Sequence, residues 1–590
     1  MTIASPMSET LQPTEVGAPL TGAGAVARVI AEMDTPTVFG MPGGYTMHIY
    51  DALYDYRDVV ETHLVRQESV GTVMAEAQGR LTNRPAIVMG QGAWILGNAG
   101  IGIMEAHLGS SPMVVLMDAT DGGSFAHLGP YQAGLGGYGA VDLPAAMRAI
   151  TKHTFVAHDP TQAFQMTQLA IKHSTAGEPG PVAVVFTGRS LFDVVDPASQ
   201  PPTLFGRSRV VASNATLNAH EVTAAADAVR TSSRPVIIAG NGIRLSGAEH
   251  ELLAFASEHG IPVATTPAGK GTFPENHPLA LGVIGAFGHD SANRGVGEAD
   301  LIIAVGTKLG ATDTANANRK LIDPERQTLI QIDIEPLNLA WTFPVDQCLQ
   351  GDASEALQHL RHALEQWQTD GVARVGALRG ELEYFDRPFS STDDEFSARD
   401  AVRIMSEELP DNAVVTCDAG ENRLYVLRDF QSKSGGTVLQ PNGGGGMGYA
   451  IPAALAAAMQ PDARLAVATC GDGGLAMSLH GVLSAVELGV KMLVVVFDNQ
   501  ILGWVNHGQR ERPIASEFSA FDFPEITRAM GCDAYAAADG ASFRQALVDA
   551  QQSEGVSVIV AKTSRTDRYQ DVMSGLHTTD TYAVPAHNAH

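Results

Sequence analysis

Cysteine is scarce in this 590-residue chain: there are four, Cys348, Cys417, Cys470 and Cys532, and none stands at a metal-binding spacing from another. That pattern excludes a disulfide framework and reads as reduced, structural thiols of a cytoplasmic protein. No apolar run reaches the roughly 18 residues of a membrane-spanning helix, so no membrane partner is expected. Basic residues are outnumbered, 38 Lys and Arg against 65 Asp and Glu, and the net charge of −27 argues against nucleic acid and anionic lipid. Aromatics are few, at 6%, whereas apolar residues reach 45% and glycines number 61; that balance suits large α/β domains with many tight turns. Residues 1–20 are polar, proline-dotted and acidic, a flexible tail rather than a signal peptide. Asn214-Ala-Thr216 fits a glycosylation sequon, read as a chance match.

The length suggests roughly three to four domains. Pattern separates three α/β blocks. The first, 21–189, has strand-like runs TVFG, AIVMG, MVVLMDA and PVAVVFT. A proline-rich linker, 190–217, leads to the second block, 218–367, with RPVIIAG, IPVATT, LIIAVG and TLIQIDI. A polar linker, 368–397, leads to the third, 398–563, with AVVTCDAG, RLAVAT, KMLVVVFDN and VSVIVAK. Residues 564–590 form a C-terminal tail that can act as a lid. Alternation of strands and helices predicts three doubly wound domains with parallel sheets.

Chemistry concentrates between Gly471 and Gln500. Gly471-Asp472-Gly473 follows the apolar run LAVAT and Cys470, and Asp498-Asn499 follows MLVVVF, with a helical pattern between them. A carboxylate and a carboxamide therefore end two buried strands joined by a helix. Hard oxygen ligands beside glycines that let backbone N–H groups approach an anion make a cation and phosphate site. The blander reading is a βαβ unit with an Asp-Gly turn. A second run, GGGGMGYAIP from Gly443 to Pro452, formally contains GxGxxG. It follows TVLQPN rather than a recognisable strand and has no acidic partner at the distance a dinucleotide site needs.

These motifs, with Val65-Arg66-Gln67-Glu68 in the first block, resemble those of thiamine diphosphate-dependent enzymes of the acetolactate synthase-like family, a group of decarboxylases, carboligases and 2-hydroxyacyl-CoA lyases. The likeness covers nearly the whole chain from Thr21 to Lys562. It implies pyrimidine-binding, central and diphosphate-binding domains in that order. It further implies that Glu68 shares a proton with the cofactor's pyrimidine ring, favouring the imino form that activates the thiazolium carbon. Met447 would wedge beneath the cofactor and bend it. Asp472, Asn499 and the Ile501 carbonyl would hold Mg²⁺. Gly43, Gly44, Gln91, Gly420, Asn422, Gly445, Gly471, Gly473 and Gly474 would contact the cofactor. Gln132 is the further catalytic candidate, and His48, His127, Gln132, Leu502 and Trp504 would line the substrate pocket. A complete site would need a homodimer or homotetramer, because Glu68 of one subunit faces the diphosphate domain of another.

The chain also departs from the pattern. Asp498 replaces the first of two asparagines, and the central Gly306–Thr314 segment lacks the arginine- and aspartate-rich FAD pattern of acetolactate synthases. FAD, ADP or no nucleotide in the central domain stays open. After Asn499 the run QILGWVNHGQRER differs, so substrate choice has shifted. The reading favoured is 2-oxo acid decarboxylation with carboligation. One alternative is cleavage of a 2-hydroxyacyl-CoA to formyl-CoA and a carbonyl compound, with Arg510, Arg512, Arg565 and Arg568 as candidate phosphate contacts. Another is a non-catalytic regulatory or scaffold relative, which loss of Glu68, Met447, Asp472 or Asn499 would signal; all four are present.

Overall fold

The computed structural model of the chain describes residues 20–34, 36–122, 131–195, 217–392, 395–433, 436–462 and 464–576. His127, Asn214 and the terminal residues 1–19 and 577–590 lie outside the described residues.

Three six-stranded sheets follow one another along the chain. The first runs, edge to edge, Glu61–Leu64, Thr37–Gly40, Ala86–Gly90, Met113–Asp118, Pro181–Phe186, His153–Ala157. The second runs Ala280–Val283, Val263–Thr265, Pro235–Ala239, Leu301–Val305, Thr328–Asp333, Gln347–Gln350. The third runs Thr437–Leu439, Val414–Cys417, Ala466–Gly471, Met492–Asp498, Val556–Lys562, Asp533–Ala537. Every pairing within these sheets is parallel. A short antiparallel ribbon joins Leu20–Thr21 to Val194–Val195.

Parallel sheets need cover on both faces, and successive side chains show it. On the strand Met492–Asp498, Met492, Val494 and Val496 enter one core, while Leu493, Val495 and Phe497 enter another. The inner four strands of each sheet are the runs legible in the sequence, and the two edge strands of each are not. Glu61–Leu64, Asp533–Ala537 and Gln347–Gln350 are largely exposed or half-exposed and carry no continuous apolar run. Ala280–Val283 is buried but short, and Gly282 interrupts it at φ 93°. One expectation needs correction: a strand, Thr437–Leu439, does precede the glycine run. Only three residues long and at the sheet edge, it left no recognisable pattern.

The first and third domains of one chain share a core through the helices Glu68–Thr82 and Ala450–Ala458. A buried polar knot crosses this contact. Tyr449 donates its hydroxyl hydrogen to Glu76 at 2.7 Å, and Arg80 donates to Tyr449 at 3.0 Å and to the Gln440 carbonyl at 2.8 Å. The central domain is tied to the third by Lys270–Glu275, an ion pair at 2.7 Å whose Glu275 also accepts the Ser432 N–H.

Candidate cofactor and metal site

In a parallel sheet all strands end on the same edge, so residues just beyond neighbouring strands gather there. In the third domain this edge opens into a cavity of about 370 Å³. Gly420 and Asn422 reach it from beyond Val414–Cys417, and Gly471, Asp472, Gly473 and Gly474 from the end of Ala466–Gly471. Asn499, Ile501, Leu502 and Trp504 reach it from beyond Met492–Asp498. Gly445 and Met447 complete the set from the glycine run.

Asp472 is buried, and burial, reinforced by the charge of Asp498, pushes its carboxyl up to about 6 against the bond from the Gly473 N–H. Asn499 Oδ1 accepts the Ile501 N–H at 3.2 Å, and Gln500 between them takes φ 58°, a left-handed conformation that turns the chain sharply. The Gln500 carbonyl is held by the Phe518 N–H. Among the described residues no group of three or more His, Cys, Asp or Glu is placed to hold a metal ion. A cation here would take one carboxylate, one carboxamide and one backbone carbonyl, an oxygen set that suits a hard divalent ion.

The structure adds residues that the sequence reading passed over. Asp418, wholly buried, accepts the N–H groups of Gly448, Tyr449 and Ala450 at 2.9, 2.6 and 3.1 Å. Burial pushes its carboxyl up to about 6 despite these bonds. A Cβ on Gly474 would overlap its Oδ2, so that position has to be glycine. Asp118 plays the matching part in the first domain, accepting the N–H groups of Tyr45 and Gly92. Both acids close apolar runs, MVVLMD and VVTCD, the same signal that exposed Asp472 and Asp498.

Glu421, on the cavity wall, is paired with His507. His507 Nδ1 lies 2.7 Å from Glu421 Oε1, and that oxygen also accepts the Tyr569 N–H at 2.8 Å. The second ring nitrogen of His507 lies 3.0 Å from the Arg565 carbonyl. Burial alone would lower His507, but the hydrogen bond and charge of Glu421 outweigh it and raise its pKa. Trp504 stacks on Tyr569 at 4.7 Å, so it both lines the cavity and packs against the C-terminal segment.

The remaining expected residues that the structure describes lie in the first domain and do not line this cavity. Gly43 and Gly44 pack against Gln91, whose amide reaches Gln132 Oε1 at 3.4 Å, so these four stand together. Gln132 takes φ 52°. Glu68 opens its helix, 7% exposed, between the buried Val65 and Val70, and accepts a bond from Asn98 at 3.1 Å. His48 packs edge-on against Phe192. Of the four arginines considered for phosphate contacts, Arg565 is paired with Glu517 and Arg568 with Asp571.

A second cleft, of about 620 Å³, opens between the central and first domains beside Gly306, Lys308, Asp313 and Asp333. Among the described residues its wall carries no arginine, and Lys308 is ion-paired with Glu178 at 2.6 Å. Burial pushes Asp313 there up to about 7. This is the place left open for FAD or ADP, and neither is assigned to it.

Fold and site define a three-domain α/β protein with a cofactor cavity at the strand ends of its third domain. Three family models match in chain order: thiamine pyrophosphate enzyme, N-terminal TPP binding domain, at 20–127; central domain, at 222–360; and C-terminal TPP binding domain, at 418–561. The chain belongs to the thiamine diphosphate-dependent enzymes and is acetolactate synthase-like. A probable acetolactate synthase large subunit of Methanocaldococcus jannaschii is 28% identical over 533 residues, covering 87% of each chain. The acetolactate synthase isozyme 3 large subunit of Escherichia coli is 27% identical over 506 residues, covering 83% of this chain and 84% of its own. The acetolactate synthase large subunit of Corynebacterium glutamicum is 28% identical over 494 residues, covering 83% and 76%. Among the described residues no helix is long and apolar enough to cross a membrane.

The cavity fits the family's cofactor on its own evidence. A Cβ on Gly473 would stand 3.2 Å from Met447 Cε and 3.0 Å from Phe518, so the glycine lets both side chains close against the backbone at the cavity wall. The buried Asn422 Oδ1 on the wall has no hydrogen-bond partner among the described residues.

Proposed function

We propose that this enzyme uses thiamine diphosphate and Mg²⁺ to decarboxylate a 2-oxo acid and join the remaining fragment to a second carbonyl compound. The observation that carries this reading is the cavity that gathers Met447, Asp472, Asn499 and Ile501 while Glu68 stays outside it. That separation favours a homodimer or homotetramer, in which Glu68 of one subunit completes the cavity of another. The bound cofactor supplies a carbon nucleophile and an electron sink. Asp472, Asn499 and the Ile501 carbonyl would hold the metal ion, and Gly471, Gly473 and Gly474 would admit the diphosphate. Glu68, in its dry setting between Val65 and Val70, holds a proton against the pyrimidine ring. Met447 would pack against the bound cofactor. Leu502 and Trp504 bound the space beyond, with Gln132, His48 and His127 as polar candidates contributed from the first domain. The likeness to acetolactate synthases supports carboligation as the outcome.

The test is turnover of a panel of 2-oxo acids, alone and in pairs, with thiamine diphosphate and Mg²⁺, following CO₂ and 2-hydroxy-3-oxo acid products. Release of CO₂ with a condensed product is expected. Formyl-CoA from a 2-hydroxyacyl-CoA, with no CO₂ from any 2-oxo acid, would replace this reading by the lyase.

A further inference from the structure

The run Gly443–Gly446 lies along one stripe of a helix that belongs to another domain. Ile101, Glu105 and Leu108 of the helix Gly100–Leu108 stand at i, i+4 and i+7, hence on one face. A Cβ on Gly443 would overlap Leu108, and one on Gly446 would come within 2.7 Å of Ile101. Gly443 is therefore required for this close approach, since its Cβ would meet backbone, whereas at Gly446 only the end of the Ile101 side chain would have to shift. At the middle of the stripe the Glu105 carboxylate, 2% exposed, accepts three successive backbone N–H groups: Gly443 at 2.7 Å, Gly444 at 2.8 Å and Gly445 at 3.2 Å. A row of such N–H groups is a natural cradle for an anion, and here a side chain fills it.

At the far end of the run, Asp418 takes the N–H groups of Gly448, Tyr449 and Ala450. The loop is thus suspended between two carboxylates, one from each domain, with Met447 at mid-span and Gly445 and Met447 facing the cavity. We propose that Glu105 is a positioning residue of the active site: it sets the glycine run, and through it the height of Met447 in the cofactor cavity. The role rests on the thiamine diphosphate reading of that cavity. Among the described residues the hydrogen bonds of the Glu105 carboxylate all go to the loop.

The test is Glu105→Gln, which keeps the shape but turns one accepting oxygen into an N–H₂ facing backbone N–H groups. Hydrogen bonds to a charged group are worth enough that kcat at saturating cofactor is expected to fall about ten- to hundredfold. KM for the 2-oxo acid should stay within about twofold, since the substrate side of the cavity is untouched. A variant that turns over like the wild type at saturating cofactor overturns the proposal. A second measurement needs neither cofactor nor variant: amide hydrogen exchange of the wild-type protein across 442–448. The amides of Gly443, Gly444 and Gly445 should be protected, and exchange at the rate of an open loop overturns the clamp. Failure of the cofactor reading looks different, because the wild type itself would then show no thiamine diphosphate-dependent turnover.

Discussion

Replacing His507 with Ala isolates the tie between the cavity wall and the C-terminal segment. The His507 and Glu421 side chains are only 8% and 5% exposed, so Glu421 would be left buried without its cationic partner. Removing one member of such a pair costs about 3–5 kcal/mol. At 1.4 kcal/mol per tenfold, local opening rises roughly a hundred- to a few thousandfold. The opening should be confined to the stretch around Arg565–Tyr569, because the flanks keep their own anchors. Ser564 N–H still bonds to the Phe396 carbonyl, and Ser574 N–H still bonds to the Ala286 carbonyl. Hydrogen exchange read by mass spectrometry is the assay: peptides across 563–576 should exchange faster while those across 492–498 stay unchanged. The pH dependence has a definite sign. His507 is raised above 6.5 in the folded protein, so its contribution is fully present below 6.5 and fades as the pH rises through the raised value. Relative to the intrinsic rate, which itself rises with pH for every amide, wild-type protection around Tyr569 should therefore fall at alkaline pH, and the variant's protection should lose that pH dependence. Equal exchange in variant and wild type would refute the reasoning.

Three further outcomes follow from the same geometry. Glu68→Gln should lower turnover on the order of a hundred- to ten-thousandfold, as loss of a proton-transfer group does, while thermal stabilisation by the cofactor persists. Gly474→Ala should push Asp418 off the backbone groups it accepts and weaken cofactor binding, read by thermal shift against cofactor concentration; an unchanged affinity would free Asp418 of that role. Lys270→Ala should strand Glu275, 2% exposed, and destabilise the junction of central and third domains by about 3–5 kcal/mol in denaturant unfolding monitored by domain-specific exchange.

Legibility in the sequence followed burial. Strands covered on both faces are continuous apolar runs and announce themselves, whereas Glu61–Leu64 or Asp533–Ala537 at a sheet edge spend half their residues on solvent. Asp472 and Asn499 were visible because each ends such a run. Asp418 and Asp118 carried the same mark and were passed over, since no glycine motif drew attention to them. Glu105 had no mark at all: it sits inside a short helix, and its partners lie 338 residues and more along the chain. The Glu421–His507 tie is equally non-local, with a separation of 86 residues, and its meaning depends on a third segment, Arg565–Tyr569.

The most direct test of the cofactor cavity is removal and return. Stripping the protein with chelator at alkaline pH should abolish turnover, and adding back thiamine diphosphate with Mg²⁺ should restore it, with neither sufficient alone. At a hundred times the dissociation constant the pair should stabilise the fold by about 2.7 kcal/mol. Asp472→Asn should blunt both effects. A stripped protein that neither regains activity nor gains thermal stability on add-back would contradict the assignment of this cavity.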